Sequence, residues 1–403
     1  MGVSQEKSTI GSEFLRNSEH TRDSHCWDKL SQSNEEREKI WGKNRTFAGD
    51  VWYRFRHKPT ALVGFIMILL LLLFALIGPF FSPYSYSDQD LSKVNIPPVM
   101  KVFEVDDDYV YINSSLKLMS VSDEGVVGDT LTVVREETGK SMTIFDLNGT
   151  EIALYYGGKT YVVCDEKSGD IYPSKKVWNS EHILGTDSLG RDILTRLMYG
   201  TRVSMMVAFV SVLVNLVIGI LYGGISGYFG GMVDTVMMRI VDIISTIPLT
   251  LYVILIMMLF GEGLQSIIIA LGCVYWVDMA RVVRGQVLSL KQQEFVIAAR
   301  TIGTSTKDIL IKHLIPNAMG SILVTATMLI PSAIFMEAFL GYLGIGLQPP
   351  LASLGTMCND ANANLRTSPY ELFIPALVIC LIMFAFNFVG DGLRDALDPK
   401  LKK

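Results

Sequence analysis

EFVIAARTIGTSTKDILIKHLIP, Glu294 to Pro316, is a polar island about two short helices long, set between extended apolar runs. It carries Arg300, Lys307, Lys312 and His313, which in a membrane protein place it on the cytoplasmic side, where basic residues accumulate. Phe295, Ala298, Ala299 and Ile302 recur at i, i+3, i+4 and i+7, one stripe of a helix that is small in the middle and lets another surface approach its backbone. Gly303 predicts the stop, because glycine takes the left-handed conformation that closes many helices. Ser305, with Asp308 three residues on, predicts a capping box opening a second short helix, which Pro316 ends. The unit is helix, glycine turn, helix.

Half of the 403 residues are hydrophobic and the formal charge is -5, enough apolar length for several membrane spans and one small soluble domain. That balance excludes a basic nucleic-acid binder. Acidic residues concentrate between Ser82 and Asp192, whereas the segments placed inside are basic, an asymmetry expected of a polytopic membrane protein. Cys26, Cys164, Cys273, Cys358 and Cys380 lack metal spacing, and only Cys164 and Cys358 would lie outside, where a bridge between them stays open. The first apolar run is too long for a cleavable signal.

Taken in order, residues 1–59 predict a polar cytoplasmic extension followed by an interfacial segment. Trp41, Phe47, Trp52, Tyr53 and Phe55 interleave there with Arg45, Arg54, Arg56 and Lys58. This reads either as an amphipathic stretch on the inner membrane surface or as a basic flank that sets orientation. The first span falls at 60–81, with no charge across Ala61 to Phe81. Residues 82–181 change character: TyrValTyrIle at 109–112, LeuThrValVal at 131–134, GluIleAlaLeuTyrTyr at 151–156 and TyrValValCys at 161–164 alternate between turn signals, predicting a small β-rich domain outside the membrane. Its role stays open between partner docking and a passive surface.

Further spans are expected at Val203 to Ile225, entered through an amphipathic Asp192 to Arg202; at Ile243 to Phe260, kinked by Pro248; at Leu264 to Val283; at Ala318 to Leu340; and at Leu372 to Val389. The fold class is an all-α polytopic membrane protein with six transmembrane helices and a β-rich insertion between the first and second. The core occupies 182–392 with the inner loop at 285–317, and a cytoplasmic tail 393–403 carries Arg394, Lys400, Lys402 and Lys403. Both termini fall inside.

Nothing in this pattern supports catalysis. Gly139-Lys140-Ser141 is the nearest approach to a phosphate-binding loop, but Val134 stands where the first glycine belongs, and the segment falls in the β domain. His20, His25, His57, His182 and His313 are dispersed. Within the spans, Asn215, Glu337 and Asn387 are the polar residues that stand out; an ionisable group in hydrocarbon costs ~2.5 to 3.5 kcal/mol and so faces a polar interior or partner. Glu337 is the candidate for a substrate path or subunit interface, unless it reaches water near the outer surface. Asp278 should pair with Arg281. Gly219-x3-Gly223-Gly224 and Gly341-x2-Gly344-x-Gly346 permit close packing or a sharp turn.

Glu294, Ala298, Ala299, Gly303, Ile315 and Pro316 resemble the EAA loop of bacterial ABC importer permeases. HILGTDSLGRDILTRLMYGTRVSM (182–205), GYFGGMVDTVMMRIVDI (227–243), GLQPPLASLG (346–355) and FNFVGDGLRDALDPK (386–400) are similar to the C-type permease of dipeptide, oligopeptide and nickel importers. The resemblance covers Arg54 to Phe81 loosely and His182 to Lys400 nearly throughout. It is expected to fail across the insertion, where most relatives have a short connection. Gly341 stands where a serine is commoner and Leu354 where tryptophan is usual, which unsettles details of the substrate path.

The resemblance implies a permease subunit moving peptides across the bacterial plasma membrane by alternating access. The EAA residues would seat on an ATPase, with Glu294 as the polar contact. It implies a second homologous permease, two ABC ATPase subunits that hydrolyse the ATP, an external solute-binding protein and surrounding lipid; no cofactor or metal is expected on this chain, and no nucleic acid. Nickel or another small solute is the alternative cargo. An ion-coupled secondary transporter is the alternative class, predicting midspan charges and inverted repeats that the sequence lacks. A membrane-anchored sensor acting through the β domain would not need five further spans.

Overall fold

A computed structural model of the chain describes residues 46–397 apart from 107, 159 and 160. The remainder of the N-terminal extension and the basic residues of the tail beyond Leu397 lie outside the described residues. By internal contacts the chain divides into Met1–Asp50 and Val51–Lys403, the second of which holds the insertion and all the long helices.

Helix α1, Phe47–Arg56, stops short of Lys58, which is extended at φ -94° and ψ 109°. The cause is Pro59, whose ring disfavours a helical predecessor and is itself suited to a first helical position. Helix α2, Pro59–Ile77, then rises to the insertion. Its small residues Ala61 and Gly64 meet the last long helix: a Cβ on Gly64 would lie 2.7 Å from the Ala385 carbonyl oxygen. Lys58 also forms an ion pair with Asp395.

The insertion is β-rich as expected. Strands β1 Val99–Val105, β2 Asp108–Ile112, β3 Leu118–Val121, β4 Val127–Thr130 and β9 Ser174–Trp178 form one antiparallel sheet in the order β4-β3-β2-β1-β9; β5 Thr132–Glu137, β6 Met142–Leu147, β7 Thr150–Tyr155 and β8 Val162–Asp165 form a second in sequence order. Asn148 and Gly149, both at positive φ (51° and 90°), make the two-residue turn between β6 and β7, a geometry that matches strand twist and favours Asn-Gly. Alternation supplies two faces. Phe103, Val105, Val110 and Leu118 pack on Phe145, Ile152 and Leu154 of the second sheet, while Met100, Val102, Tyr111 and Met119 cluster with Ile96 on the other side.

The insertion is seated on the bundle rather than strung from it. Thr186 N–H donates to the Ile96 carbonyl at 2.9 Å, Asn95 N–H donates to the Asp187 carbonyl at 3.0 Å, and the Asn364 amide donates to Asn95 Oδ1 at 3.3 Å.

Helix α3, Ile193–Phe229, runs unbroken for 37 residues, about 55 Å at the helical rise. The separate amphipathic entry and shorter span expected from sequence are therefore one helix, capped by Asp192, which accepts from Thr195 N–H at 2.7 Å. Helices α4, Gly231–Thr246, and α5, Leu249–Phe260, meet at an angle of 86°. Pro248 thus breaks the third span instead of kinking it, since Ile247 before it is extended (ψ 126°). Alone, α5 reaches about 18 Å, short of the ~30 Å of hydrocarbon.

Helices α6, Leu264–Val274, and α7, Trp276–Leu290, follow one another and carry the fourth span past its expected end at Val283. Helix α8, Glu294–Thr301, is followed by α9, Thr306–Tyr342, then α10, Leu354–Asn362, and α11, Tyr370–Leu397. Among the described residues five helices are long and apolar enough to cross a membrane, and the bent α4–α5 pair would make a sixth.

Pro316 does not end a helix. Residues Ile309–Leu314 form a π-helical turn, and the wider coil accommodates a proline that lacks its N–H and would crowd the preceding turn of a regular helix. Helix α9 therefore continues from Thr306 to Tyr342 as one element of 37 residues. The glycine run on α3 serves packing: a Cβ on Gly219 would meet Met279 at 2.5 Å and one on Gly223 would meet the Ala280 carbonyl oxygen, both on α7. Of the second run, Gly341 packs on Gly355 while Gly344, at φ 78°, makes the turn after α9.

Candidate functional site

Helix α8 has two faces. Val296 and Ala299 point inward and share a core with Ile309, Leu314 and Val287. Phe295, Ala298 and Ile302 point outward, Phe295 40% and Ile302 82% exposed. Of the stripe expected from sequence, Ala299 is thus turned into the core and the other three are presented to the surroundings. An apolar row on a helix whose opposite face is already buried is a surface built for a partner or a lipid boundary.

The chemistry of the turn holds that row in place. Gly303 sits at φ 81°, Thr304 N–H donates to the Ala299 carbonyl and Gly303 N–H to that of Arg300, each at 3.0 Å, the paired bonds of a Schellman end. Ser305 accepts from Asp308 N–H at 3.1 Å, and its hydroxyl donates to the Asp308 carboxylate at 2.7 Å, so the capping residue is as expected but the reciprocal bond goes to the side chain. Glu294 is exposed in the first turn of α8, where a carboxylate favours the positive helix end. Arg300 lies 5.1 Å from the Tyr228 ring, and Lys291 donates to the Gly227 carbonyl at 2.8 Å, tying the unit to the end of α3. Ile315 is half-buried and Pro316 exposed at the foot of α9.

The three polar residues expected inside the spans are not brought together. Glu337 is fully buried on α9 and its Oε2 accepts from the Ser204 hydroxyl at 2.6 Å. Asn215 is fully buried on α3, neither of its amide atoms finding a partner among the described residues, and it lies eleven residues from Ser204 on the same helix, about 16 Å away. Asn387 is exposed on α11. Asp278 does pair with Arg281 at 3.7 Å, though Arg281 also reaches Asp242 at 3.4 Å. Gly139-Lys140-Ser141 lies in the link between β5 and β6, followed by a strand instead of a helix. Cys164 and Cys358 are both buried and free, without a bridge.

A charged cluster escaped the sequence reading. Arg191 Nε donates to Asp187 at 2.8 Å, Arg196 also pairs with Asp187, and both guanidiniums donate to Asp360 of α10 at 3.0 Å. Arg191 and Arg196 are almost wholly buried. They line a cavity of about 200 Å³ together with Gln348, Thr356, Asn359 and Asp360. The i, i+4 spacing of Asp187 and Arg191 was the local signal; the partner 164 residues beyond Arg196 was not. Nearby, burial and the Glu181 carboxylate push the Tyr84 phenol up to about 12.

A bundle of long apolar helices, interrupted by a capped turn that carries an exposed apolar row, is the architecture of an integral membrane protein. The family model of binding-protein-dependent transport system inner membrane components matches residues 215–403, and that of the N-terminal transmembrane domain of oligopeptide transport permease C matches residues 46–98. The oligopeptide transport system permease protein OppC of Bacillus subtilis is 40% identical over 91% of this chain and 94% of its own, and the dipeptide permease DppC of the same organism 36% identical over 94% and 93%. The chain belongs to this family of ABC transport permeases. Such a permease works with ATPase and substrate-binding partners.

The OppC of Escherichia coli K12 is 46% identical but over only 55% of this chain and 73% of its own. The two Bacillus alignments leave 9% and 6% of the chain uncovered, much less than the insertion 82–181, so the expectation that the resemblance fails there is corrected: some relatives align across it. Among solved structures, the inward-facing MetNI methionine ABC transporter matches with a TM-score of 0.44 at 20% identity, covering 50% of this chain and 96% of that one.

Proposed function

We propose that this chain is one of two homologous permease subunits of a peptide importer, and that the outward row of α8 seats on an ATPase subunit. The observation that carries this reading is the row itself: Phe295, Ala298 and Ile302 exposed on a helix whose other side is locked into the core. Glu294 is the polar contact at its start. Helix α9 begins three residues beyond Gly303 in the capped turn and runs about 55 Å to the insertion end, so displacement of α8 tilts a span instead of bending a loop. ATP is bound and hydrolysed by two partner subunits.

The α8 turn and both termini then lie in the cytoplasm of a bacterial cell and the insertion outside. The exposed ridge Phe209, Leu213, Val217 and Leu221 on α3 faces lipid or the second permease. A solute-binding protein delivers the peptide from the insertion side.

Phe295→Glu and Ala298→Glu place a charge on the seat. The ATPase subunits should co-purify with the wild-type chain and not with these variants, with membrane content of the permease unchanged. Undiminished co-purification and uptake in both would overturn the docking assignment. A cysteine introduced at Lys307 should react with an impermeant reagent in inverted vesicles only; reaction on intact cells would overturn the orientation.

A further inference from the structure

Helix α10 is held by its first turn in a notch without spare room. A Cβ on Gly200 of α3 would come within 3.2 Å of the Ser353 carbonyl carbon, and one on Gly341 of α9 within 2.9 Å of the Gly355 carbonyl carbon. Beneath that notch Ser204 Oγ accepts from Leu354 N–H at 3.3 Å and donates to Glu337 Oε2 at 2.6 Å. Ser353 caps the helix by accepting from Thr356 N–H at 3.2 Å. At its far end Asp360 accepts from Arg191 and Arg196, the latter also on α3. Ser204 and Arg196 lie about 12 Å apart along α3, and Leu354 and Asp360 about 9 Å along α10, so the short helix is strapped at both ends to one long one.

Glu337 has no cation partner among the described residues and is sealed from solvent, a position that is costly unless its bond is used. Its carboxylate faces Ser204 and the first turn of α10, not an open cavity. We infer that Glu337 is a positioning residue: through Ser204 it seats the first turn of α10 between α3 and α9, so that α10 moves as one body with the helix that begins at the α8 turn. The outer end of the bundle is thereby yoked to the docking turn through α9. A stroke that tilts α9 carries with it α10 and the cavity wall formed by Thr356, Asn359 and Asp360. The transport consequence rests on the importer reading; the seating of α10 does not.

Cys358, buried in α10, reports directly on the seat. The complete transporter is expressed in cells with Cys26, Cys164, Cys273 and Cys380 replaced by alanine, and Cys358 is labelled from outside with an impermeant maleimide while peptide uptake and membrane content are followed. Glu337→Gln retains an acceptor oxygen of the same shape, and should keep Cys358 protected and uptake within about twofold. Glu337→Leu and Ser204→Ala should raise the labelling rate by about tenfold or more through local opening of α10, and lower uptake in proportion.

Native protection of Cys358 in both Ser204→Ala and Glu337→Leu overturns the inference. So does a Glu337→Gln protein labelled as fast as Glu337→Leu, which would make the charge, not the bond, the requirement. If Glu337→Leu fails to reach the membrane, Ser204→Ala, which deletes one hydroxyl, decides alone. A set in which the labelling follows this pattern but no variant, including the parent, takes up peptide would support the seating and overturn the cargo assignment.

Discussion

Gly223 of α3 lies directly against the Ala280 carbonyl of α7, so close that a Cβ at that position would occupy the space of the carbonyl oxygen. With no hydrophobic gain from joining two helices in lipid, such backbone approach and its dispersion contacts hold the pair together. Gly223→Leu should therefore force α3 and α7 apart, at a cost of about 1 to 3 kcal/mol. The measurement is thermal unfolding in detergent, with Gly285→Ala as the control: a Cβ there meets nothing within 4 Å, and alanine should stabilise the helix by about 0.5 to 1 kcal/mol.

Gly303 has open space around it, so only its backbone, at φ 81°, resists substitution. Gly303→Val should cost about 1 to 2 kcal/mol locally and misaim α8, abolishing uptake while the protein stays in the membrane. Gly303→Asn, which tolerates the left-handed region better, should retain a measurable part of it. Equal uptake by wild type and Gly303→Val would sink the lever.

The Asp187, Arg191, Arg196 and Asp360 cluster should behave unevenly. Asp187 is buried between two guanidiniums, and Asp187→Leu leaves them without their enclosed partner, a loss of about 3 to 5 kcal/mol for a pair of this kind. Asp360 is 35% exposed, so water can replace it and Asp360→Asn should lower the melting temperature clearly less. The reverse ranking would show that the loop, and not the pocket floor, carries the stability.

Burial, reinforced by the neighbouring Glu337 carboxylate, pushes the Cys358 thiol up to about 11. The thiolate is the reactive form, so maleimide labelling of Cys358 should climb steadily from pH 7 to 9 without levelling. An ordinary exposed cysteine bends over near its pKa of about 8.5. A plateau in that range in the wild-type chain would show that α10 is already open.

Short-range chemistry was legible in the residues alone. The left-handed stop at Gly303, the Ser305 cap, the Asn148-Gly149 turn and the uncharged run of α2 each follow from interactions within about one helical turn or one hairpin, and each is found where the residues place it. The same local rules misjudged Pro316 and Pro248, because a π-helical turn can absorb a proline and a sharp bend can replace a kink, and the choice depends on what packs alongside.

What only the tertiary structure decided is which distant groups share a place. Glu337 meets Ser204 across 133 residues, Arg196 meets Asp360 across 164, and β9 closes beside β1. Periodicity names the residues that must be buried or paired, but every span offers a similar apolar face to its neighbours, so register and partner emerge only when small residues let particular backbones touch.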